Sequence, residues 1–262
     1  MKITAAPKKE TLIDYPDKIA CMIFTPGCNY QCPACHSRHV VFGEPSVSEE
    51  EVFQHLSERK GWLDGIVICG GEPTLQHTLP HFLEEVRKRF PKLSVKLDTN
   101  GSNWHMLGRI YERKLADYVA MDIKGPYSNG MYRKLTGVDK MGDDVVIDER
   151  DGLTKAMAVV ANFPGHEFRT TVVPISRDNG TISFMTPEEI GETADFIYRN
   201  LPNNDSSYFL QRFVARGADE MMDSRFAKEN LPEGLRETPK ELMQKALEEA
   251  RKYLPNAKIR GE

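Results

Sequence analysis

The residues with the clearest chemical potential are the cysteines, which crowd into the first part of the chain. The sequence holds five, at positions 21, 28, 32, 35 and 69. Three of them lie within eight residues, in the run Cys28-Asn-Tyr-Gln-Cys32-Pro-Ala-Cys35. Five is an odd number, and disulfides are rare inside cells, so we do not expect a framework of paired cysteines. Three thiolates on one short loop instead indicate a soft metal centre, either zinc or iron–sulfur.

The two kinds of metal centre differ in the ligands that they need. A closed structural zinc site requires a fourth protein ligand. His36 is a poor candidate because it adjoins Cys35 and consecutive residues rarely reach one tetrahedral ion, whereas His39 could reach it. A [4Fe–4S] cubane held by three cysteines leaves one iron open to a substrate or cofactor. Cys21 and Cys69 are most simply buried apolar residues, and two thiols are too few for a second cubane.

Further polar groups follow apolar segments later in the chain. Gly70-Gly71-Glu72 comes directly after Ile66-Val67-Ile68-Cys69. Glycine lets a backbone approach a ligand closely, and the Glu72 carboxylate could accept a hydrogen bond from an ammonium group. Taken alone, such a run is more often an ordinary turn, so whether it indicates a binding site depends on where the fold places it.

Two more segments end in carboxylates at matching positions, Asp98-Thr99-Asn100-Gly101 and Met121-Asp122-Ile123-Lys124. One interpretation is a helix cap after the first and an ordinary salt bridge between Asp122 and Lys124 after the second. The other is an oxygen-rich cation site, built from both carboxylates and the Thr99 hydroxyl. Arg169 lies at the start of a further apolar segment, where an arginine is usually just a solvated residue at the end of a strand.

These residues need a scaffold that brings the ends of several segments together. Apolar, β-branched runs alternate with amphipathic stretches of helical length, which is typical of β/α units around a parallel sheet. The pattern predicts strands at 19–25, 65–69, 93–98, 118–123, 167–174 and 208–213. It predicts helices at 48–59, 79–90, 104–114, 149–161, 187–200 and 239–254.

Six strands are too few for an eight-unit barrel. We therefore predict an α/β fold, a partial (β/α)6 barrel at 1–216 with a C-terminal helical appendage at 217–262 that packs on it. The carboxyl ends of parallel strands share one edge of the sheet, so the cysteine run, Gly70–Glu72 and the later carboxylates should meet there.

The composition excludes several classes of function. The 262 residues carry 35 Lys and Arg against 39 Asp and Glu, a net charge of −4, which argues against a broad nucleic-acid-binding face. No apolar run approaches the roughly 20 residues that a membrane span needs. Residues 1–4 lack the apolar start of a secretory signal. We expect a cytoplasmic protein that binds neither nucleic acid nor membranes.

The cysteine run and the Gly-Gly-Glu element together resemble the radical S-adenosylmethionine (SAM) superfamily. The resemblance implies that Cys28, Cys32 and Cys35 hold a [4Fe–4S] cluster and that the amino and carboxylate groups of SAM chelate its open iron. It also implies that the Gly-Gly-Glu element binds the amino group, mainly through backbone carbonyls. Tyr30 matches a hydrophobic position near the adenine of the cofactor.

The carboxylate motifs carry a narrower resemblance, to the proteins that activate glycyl-radical enzymes. The implied SAM-binding residues are Tyr30, Gly70, Gly71, Glu72, Asp98, Asp122, Lys124 and Arg169. In pyruvate formate-lyase activating enzyme, the equivalent motifs hold a monovalent cation against the SAM carboxylate. By that resemblance Asp98, Thr99 and Asp122 are the implied cation ligands.

The function implied by this resemblance is activation of a partner enzyme under anaerobic conditions. The sequence is similar to anaerobic ribonucleoside-triphosphate reductase activating proteins. A flavodoxin- or ferredoxin-type donor would reduce the cluster, SAM would be cleaved to a 5′-deoxyadenosyl radical, and that radical would take hydrogen from a glycine of the partner. Two alternatives remain open: a small-molecule radical SAM enzyme similar to 7-carboxy-7-deazaguanine synthase, and a zinc-stabilised binding module.

Overall fold

A computed structural model describes residues 1–5, 10–128, 130–138, 149–201 and 206–261. The strands are β1 Ala20–Thr25, β2 Gly65–Gly70, β3 Ser94–Thr99, β4 Tyr118–Asp122, β5 Gly165–Val172, β6 Pro174–Ser176, β7 Ile182–Phe184, β8 Ser207–Arg212 and β9 Lys258–Ile259. Seven of them form one sheet in the order β1-β2-β3-β4-β5-β8-β9, and every pair in it is parallel. β6 and β7 form a separate antiparallel hairpin.

The helices are α1 Arg38–Val41, α2 Glu49–Glu58, α3 Leu79–Arg89, α4 Trp104–Glu112, α5 Met131–Thr136, α6 Glu149–Val160, α7 Pro187–Asn200 and α8 Lys240–Arg251. α2 begins at a capping box made by Ser48 and Glu51, and α7 begins at another made by Thr186 and Glu189. These boxes satisfy backbone N–H groups that a helix start leaves unpaired. In the described ranges, no helix is long and apolar enough to cross a membrane.

The predicted α/β partial barrel is confirmed; its main sheet has one strand more than the sequence indicates, and the short β6 and β7 form a separate hairpin. All six predicted strands are present, with bounds shifted by two residues at most. The seventh, β9, has two residues and lies in the predicted appendage. The predicted strand at 167–174 ends at Val172, and the short β6 begins at Pro174, where the missing N–H interrupts a ladder. The short helices α1 and α5 are also additional to the prediction.

The sheet is an open barrel whose edges are β1 and β9. On the β1 side, the backbone of Thr4 and Thr11 hydrogen-bonds to Phe24 and Ala20 in antiparallel fashion. On the other side, β9 pairs with β8 while α8 packs against α7. Because β9 completes the sheet from within 217–262, the sheet crosses the predicted division at residue 216, and that division stays a prediction.

Because side chains alternate along each strand, the two faces of the sheet have different surroundings. On β3, Val95 and Leu97 are fully buried in the main core, between the sheet and the helices. Lys96 and Asp98 lie on the opposite face, because successive side chains of a strand point to opposite faces. The inner face is closed at one end by a small cluster around Tyr15 and Val67, and it opens toward the carboxyl ends of the strands. The fold therefore places polar residues of several strands on one shared surface.

Candidate active site

A cavity of about 590 Å³ lies at the carboxyl ends of the strands. Its volume is in the usual range for sites that bind small molecules. It brings together every site residue that the sequence analysis names: Cys28, Tyr30, Cys32, Cys35, Gly70, Gly71, Glu72, Asp98, Thr99, Asp122, Lys124 and Arg169. The lining is contributed by six neighbouring strands, β1 to β5 and β8, and the loops after them, as expected for a parallel sheet.

The cysteine run lies in residues 26–38, which follow β1 and which we call the cysteine loop. Two thiols of the loop accept hydrogen bonds from its own backbone. Tyr30 N–H donates to Cys28 Sγ at 3.4 Å, and Ser37 N–H donates to Cys35 Sγ at 3.4 Å. The Asn100 side-chain amide, from the loop after β3, donates to Cys28 Sγ at 3.9 Å. Such N–H···S contacts stabilise thiolates and tune a metal centre bound to them.

Burial sets the acidity of two of these thiols. It raises the pKa of Cys28 to about 12 and that of Cys32 to about 11, and the negative charge of Glu72 adds to the effect at Cys28. Both groups are therefore neutral thiols near pH 7 when no cation faces them. A bound metal removes the proton from a coordinating thiol, so a metal centre would supply the positive charge that these sulfurs lack.

The two glycines of the Gly-Gly-Glu element allow β2 to lie directly against the cysteine loop. Gly71 N–H donates to Thr25 O and Glu72 N–H donates to Gly27 O, both at 2.8 Å. A Cβ atom at Gly71 would lie 1.9 Å from the Gly27 carbonyl oxygen. Gly70 has φ +132°, a conformation that other residues rarely adopt. Close packing of two protein loops requires these glycines, whereas the sequence suggested the close approach of a ligand.

Glu72 is buried, and its carboxylate joins neighbouring segments of the chain through hydrogen bonds. Its carboxylate is fully buried and accepts from Thr99 Oγ1 at 2.7 Å, Asn100 N–H at 2.6 Å and Thr74 N–H at 3.1 Å, as well as from the Thr74 hydroxyl. Burial raises the pKa of Glu72, and these donors partly oppose that shift. The carboxylate is thus committed to protein donors, contrary to the expectation that it accepts from an ammonium group. A contact of this element with such a group would have to come from its backbone.

Residues of the predicted appendage hold the far side of the cysteine loop. Met222 N–H donates to Cys35 O at 2.8 Å, and Arg38 N–H donates to Glu220 O at 3.0 Å. Met222 also lines the cavity. The segment is anchored nearby, since its neighbour Met221 is fully buried in a second apolar cluster that Ala34 of the cysteine loop also contacts. The loop is therefore held from both sides by other parts of the chain.

Charged side chains from three neighbouring strands form a chain of ion pairs along the inner face. Arg169 Nε donates to Asp122 Oδ1 at 2.8 Å, and Arg169 Nη1 donates to Asp98 Oδ2 at 3.3 Å. Lys124 Nζ donates to Asp122 Oδ2 at 2.9 Å, and Lys96 Nζ pairs with Asp98 Oδ1. Each of the four carboxylate oxygens therefore has a cationic partner.

The pKa values of the groups in this chain of ion pairs follow from how the groups are paired. Burial by itself would raise the pKa of Asp122, but Arg169 and Lys124 outweigh it and hold that pKa well below its usual range. Burial by itself would lower the pKa of Lys124, but the charge of Asp122 and its hydrogen bond raise it above its usual value. Asp122, Lys124 and Arg169 therefore stay charged at neutral pH, so the cavity presents fixed charges.

Comparison with known proteins shows which family has this arrangement of cysteines and charged residues. The model of the Radical SAM superfamily matches residues 22–148. A protein of Methanocaldococcus jannaschii, provisionally named a glycyl-radical enzyme activating enzyme, is 31% identical over 256 residues, covering 95% of this chain and 91% of the relative. The chain belongs to the radical SAM superfamily. It is a radical SAM enzyme, and the family implies a [4Fe–4S] cluster and SAM as its cofactors.

Two further matches are narrower. The anaerobic ribonucleoside-triphosphate reductase-activating protein of Escherichia coli K12 is 27% identical over 73 residues, which is 26% of this radical SAM enzyme and 47% of that protein. The crystal structure of Streptococcus suis SuiB bound to precursor peptide SuiA aligns with a TM-score of 0.52 at 15% identity. That alignment covers 78% of this chain and 41% of SuiB, and it supports the fold alone.

The cysteine loop of the radical SAM enzyme fits the cluster that the family implies. Three thiols line one cavity, and two of them already accept backbone N–H groups. Among the residues that the structure describes, no three His, Cys, Asp or Glu side chains are gathered so as to hold one metal ion. A zinc site needs its ligands about 2.0–2.3 Å from a single ion. A cubane instead distributes cysteine ligands over separate irons, which suits thiols spread along a loop.

The three side chains implied as monovalent-cation ligands do not converge in this enzyme. The Thr99 hydroxyl donates to Glu72, away from the carboxylates of Asp98 and Asp122. Those carboxylates are bridged by the Arg169 guanidinium instead. The residues present therefore do not fit an alkali metal ion, because fixed cationic groups already hold the oxygens that would bind it.

Sequence reasoning missed three charged residues of the enzyme's interior. Lys96 is 1% exposed, and Glu167 is fully buried. Glu167 pairs with Arg260 and has Oε1 3.9 Å from Arg169 Nη1. A signal existed for two of them, since Lys96 and Glu167 each precede a named site residue by two positions and therefore share its strand face. Arg260 follows a strand too short to leave a pattern.

The two remaining cysteines of the enzyme have different surroundings. Cys21 is 2% exposed within β1 and packs in the main core, as expected. Cys69 lies at the end of β2 and lines the cavity, so the apolar core does not enclose it completely. Burial raises the pKa of each to about 12. Neither is therefore a reactive thiolate near neutral pH.

Proposed function

We propose that this radical SAM enzyme is an activase that generates a glycyl radical on a partner enzyme, with anaerobic ribonucleotide reductase as the candidate partner. One observation carries the proposal: a single cavity on an open parallel sheet holds the three cysteines together with a cation-rich cluster. The name of the M. jannaschii relative, similar along 95% of the chain, supports the activase class. The shorter match to the E. coli protein supports the choice of partner.

The chain's residues would divide the work of binding the two cofactors. Together, a bound [4Fe–4S] cluster and SAM supply a carbon-centred radical that removes hydrogen from a substrate. Cys28, Cys32 and Cys35 would hold the cluster. Lys124 and Arg169 would provide positive charge for the cofactor's carboxylate, and the buried ring of Tyr30 would form part of the apolar wall. Fixed charges in a cavity do not have to reorganise during the reaction, which favours catalysis.

The open side of the barrel suits a protein substrate. In the described ranges, β1 and β9 end the sheet without pairing with each other. A loop of the partner enzyme could enter between them and bring its glycine to the cavity. The electron would come from a flavodoxin- or ferredoxin-type donor, and we expect the reaction to take place in the cytoplasm.

The decisive test is the appearance of a glycyl radical. The enzyme, reconstituted without oxygen, is mixed with SAM, a reductant and a candidate glycyl-radical enzyme, and its EPR spectrum is recorded. We expect a glycine doublet that requires both the partner and SAM. SAM cleavage without a doublet for any candidate partner, together with turnover of a metabolite, would instead establish a small-molecule radical SAM enzyme.

Substitution of single cysteines tests the ligand assignment. Cys28→Ala, Cys32→Ala and Cys35→Ala should each abolish cluster assembly and SAM cleavage, since each removes one ligand. Cys21→Ala and Cys69→Ser serve as matched controls and should retain about four irons per chain. Iron and sulfide analysis after anaerobic reconstitution checks both groups. Loss of the cluster in either control, or one zinc ion in place of iron, would contradict the assignment.

A further inference from the structure

Lys96 is a charged residue with no assigned role, and its setting is unusual for a lysine. Its side chain is 1% exposed and lies on the inner face of β3, and its ammonium group pairs with Asp98 Oδ1. Lysine is almost never fully buried unless it is paired, because desolvation of an ammonium group is costly. A buried lysine at this place therefore requires a compensating anion, and Asp98 supplies it.

The charge balance of the ion pairs that link Lys96 to Lys124 shows what Lys96 contributes. Lys96, Lys124 and Arg169 carry three positive charges, and Asp98 and Asp122 carry two negative ones. The pair of Glu167 and Arg260 adds no net charge. One positive charge is left over, which an incoming carboxylate would neutralise. Without Lys96 the same set would be neutral, and a bound carboxylate would need one further cation.

The partners of the Asp98 and Asp122 oxygen atoms also bear on whether a metal ion binds at this site. A monovalent cation between the two aspartates would need carboxylate oxygens free to face it. Lys96 and Arg169 hold the two oxygens of Asp98, while Arg169 and Lys124 hold those of Asp122. The hydroxyl of Thr99, the third implied ligand, is directed to Glu72.

We propose that the Lys96 ammonium group replaces the alkali metal cation of this site, so that the enzyme binds the carboxylate of SAM without a monovalent metal ion. The inference rests on the proposed function only in requiring that the cavity binds SAM. Lys96 is a positioning residue: it holds Asp98, which in turn holds Arg169 at the cavity. A fixed ammonium group supplies the charge and stays in place when salts change.

The first test compares buffers, using the anaerobically reconstituted wild-type enzyme with its cluster oxidised. SAM is titrated calorimetrically in potassium, sodium and choline chloride at equal ionic strength, so that general screening is constant. We expect the three dissociation constants to agree within about twofold, less than the tenfold that about 1.4 kcal/mol represents. Tightening by about tenfold or more in potassium or sodium would overturn the proposal.

The second test asks whether removal of the Lys96 charge makes SAM binding depend on a monovalent metal ion. Lys96→Met keeps the length of the side chain and removes its charge. We expect SAM to bind this variant about tenfold more weakly in choline, and potassium or sodium to restore part of the loss. The matched control is Lys92→Met, whose lysine is exposed just before β3, and it should behave as the wild type in every buffer. Unchanged binding by Lys96→Met in choline would contradict the proposal.

The outcomes separate the two proposals. Absence of SAM binding in every buffer would contradict the proposed function itself. Binding that depends on potassium or sodium would preserve the function and overturn only the role of Lys96. If Lys96→Met fails to fold, which iron content and thermal unfolding would reveal, the wild-type comparison still decides.

Discussion

The buried charges of the inner face on β3, β4 and β5 are arranged so that each has a partner of opposite sign. Lys96 pairs with Asp98, Arg169 contacts both Asp98 and Asp122, and Glu167 pairs with Arg260. Pairing of this kind adds little net stability, but the loss of one partner leaves an uncompensated charge and costs about 3–5 kcal/mol. The inner face is consequently intolerant of single substitutions, and its geometry is well defined.

Glu72 offers a prediction at the scale of one residue. Glu72→Gln preserves the shape but replaces one of the two carboxylate oxygens with an amide N–H₂, which then faces a backbone donor, either the Asn100 N–H or the Thr74 N–H. A buried polar group without a partner costs about 1–3 kcal/mol, so we expect the thermal midpoint to fall by roughly 2–12 °C. Differential scanning calorimetry checks this, with the exposed Glu112→Gln as the control. Equal midpoints for the two variants would contradict the role of Glu72 as a junction.

Single residues were predictable where a motif marked them. The cysteine spacing and the strand-end carboxylates lead to the residues that line the cavity, because residue type and position coincide there. Lys96 was missed because a lysine inside an apolar run is ordinarily assigned to the solvent face. The two-residue period that places Asp98 at the cavity places Lys96 beside it, so the information was present in the strand pattern. The saturation of the Glu72 carboxylate by donors from its own loop and from the end of β3 depends on tertiary packing and has no local signal.

At the scale of elements, loops rather than strands shape the site. The cysteine loop receives backbone hydrogen bonds from the Gly-Gly-Glu element on one side and from residues 220–222 on the other. The strands fix where these loops start, and the loops fix one another. A metal-binding loop held in this way loses little freedom when it takes up its ligand, which favours affinity.

The hydrogen bond from Met222 provides a test at this scale. Met222→Pro removes the N–H that donates to Cys35 O, whereas Met222→Ala removes only the side chain and keeps that donor. Because partners that orient metal ligands typically change metal affinity by 10–100-fold, we expect the proline variant to lose iron to a chelator about tenfold faster than wild type. The alanine variant should resemble wild type. Equal rates for both variants would show that the backbone donor is unimportant.

Elements were predictable when they were long enough to show a period. The six longer strands and the helices between them have clear apolar patterns, and they appear close to the predicted bounds. β9 has two residues, and α1 has four, so neither completes a recognisable period. Their positions are decided by packing: β9 extends the edge left by β8, and α1 follows from the anchoring of the cysteine loop at both ends.

At the scale of the whole molecule, the segment after α8 is tied to the interior of the barrel. β9 pairs with β8, and Arg260 reaches the fully buried Glu167 while its guanidinium lies 4.5 Å from the ring centre of Phe209. Glu167 also accepts from Tyr118 Oη at 2.8 Å and lies near Arg169. Residues 258–261 thus form part of the scaffold that supports the inner charges of the site.

Arg260 provides the prediction at this scale. Arg260→Met removes the closest charged partner of the buried Glu167 carboxylate, leaving Arg169 Nη1 at 3.9 Å, and we expect a loss of about 3 kcal/mol in the free energy of unfolding. The double variant Arg260→Met/Glu167→Gln should recover most of that loss, because it removes the uncompensated charge. Denaturant unfolding of the holoenzyme measures both, with the exposed Lys258→Met as the control. A double variant no more stable than the single one would contradict the pairing.

The pairing of Glu167 with Arg260 also bears on the order in which the protein is made. The two residues are 93 positions apart, while β2, β3, β4 and β5 each pair with the strand that precedes them along the chain. A nascent chain can therefore assemble its first five strands as they leave the ribosome, but its buried glutamate must wait for Arg260 to be synthesised. During that interval Glu167 lacks its closest cationic partner, so the interior of the half-built barrel stays open to water until Arg260 takes its place.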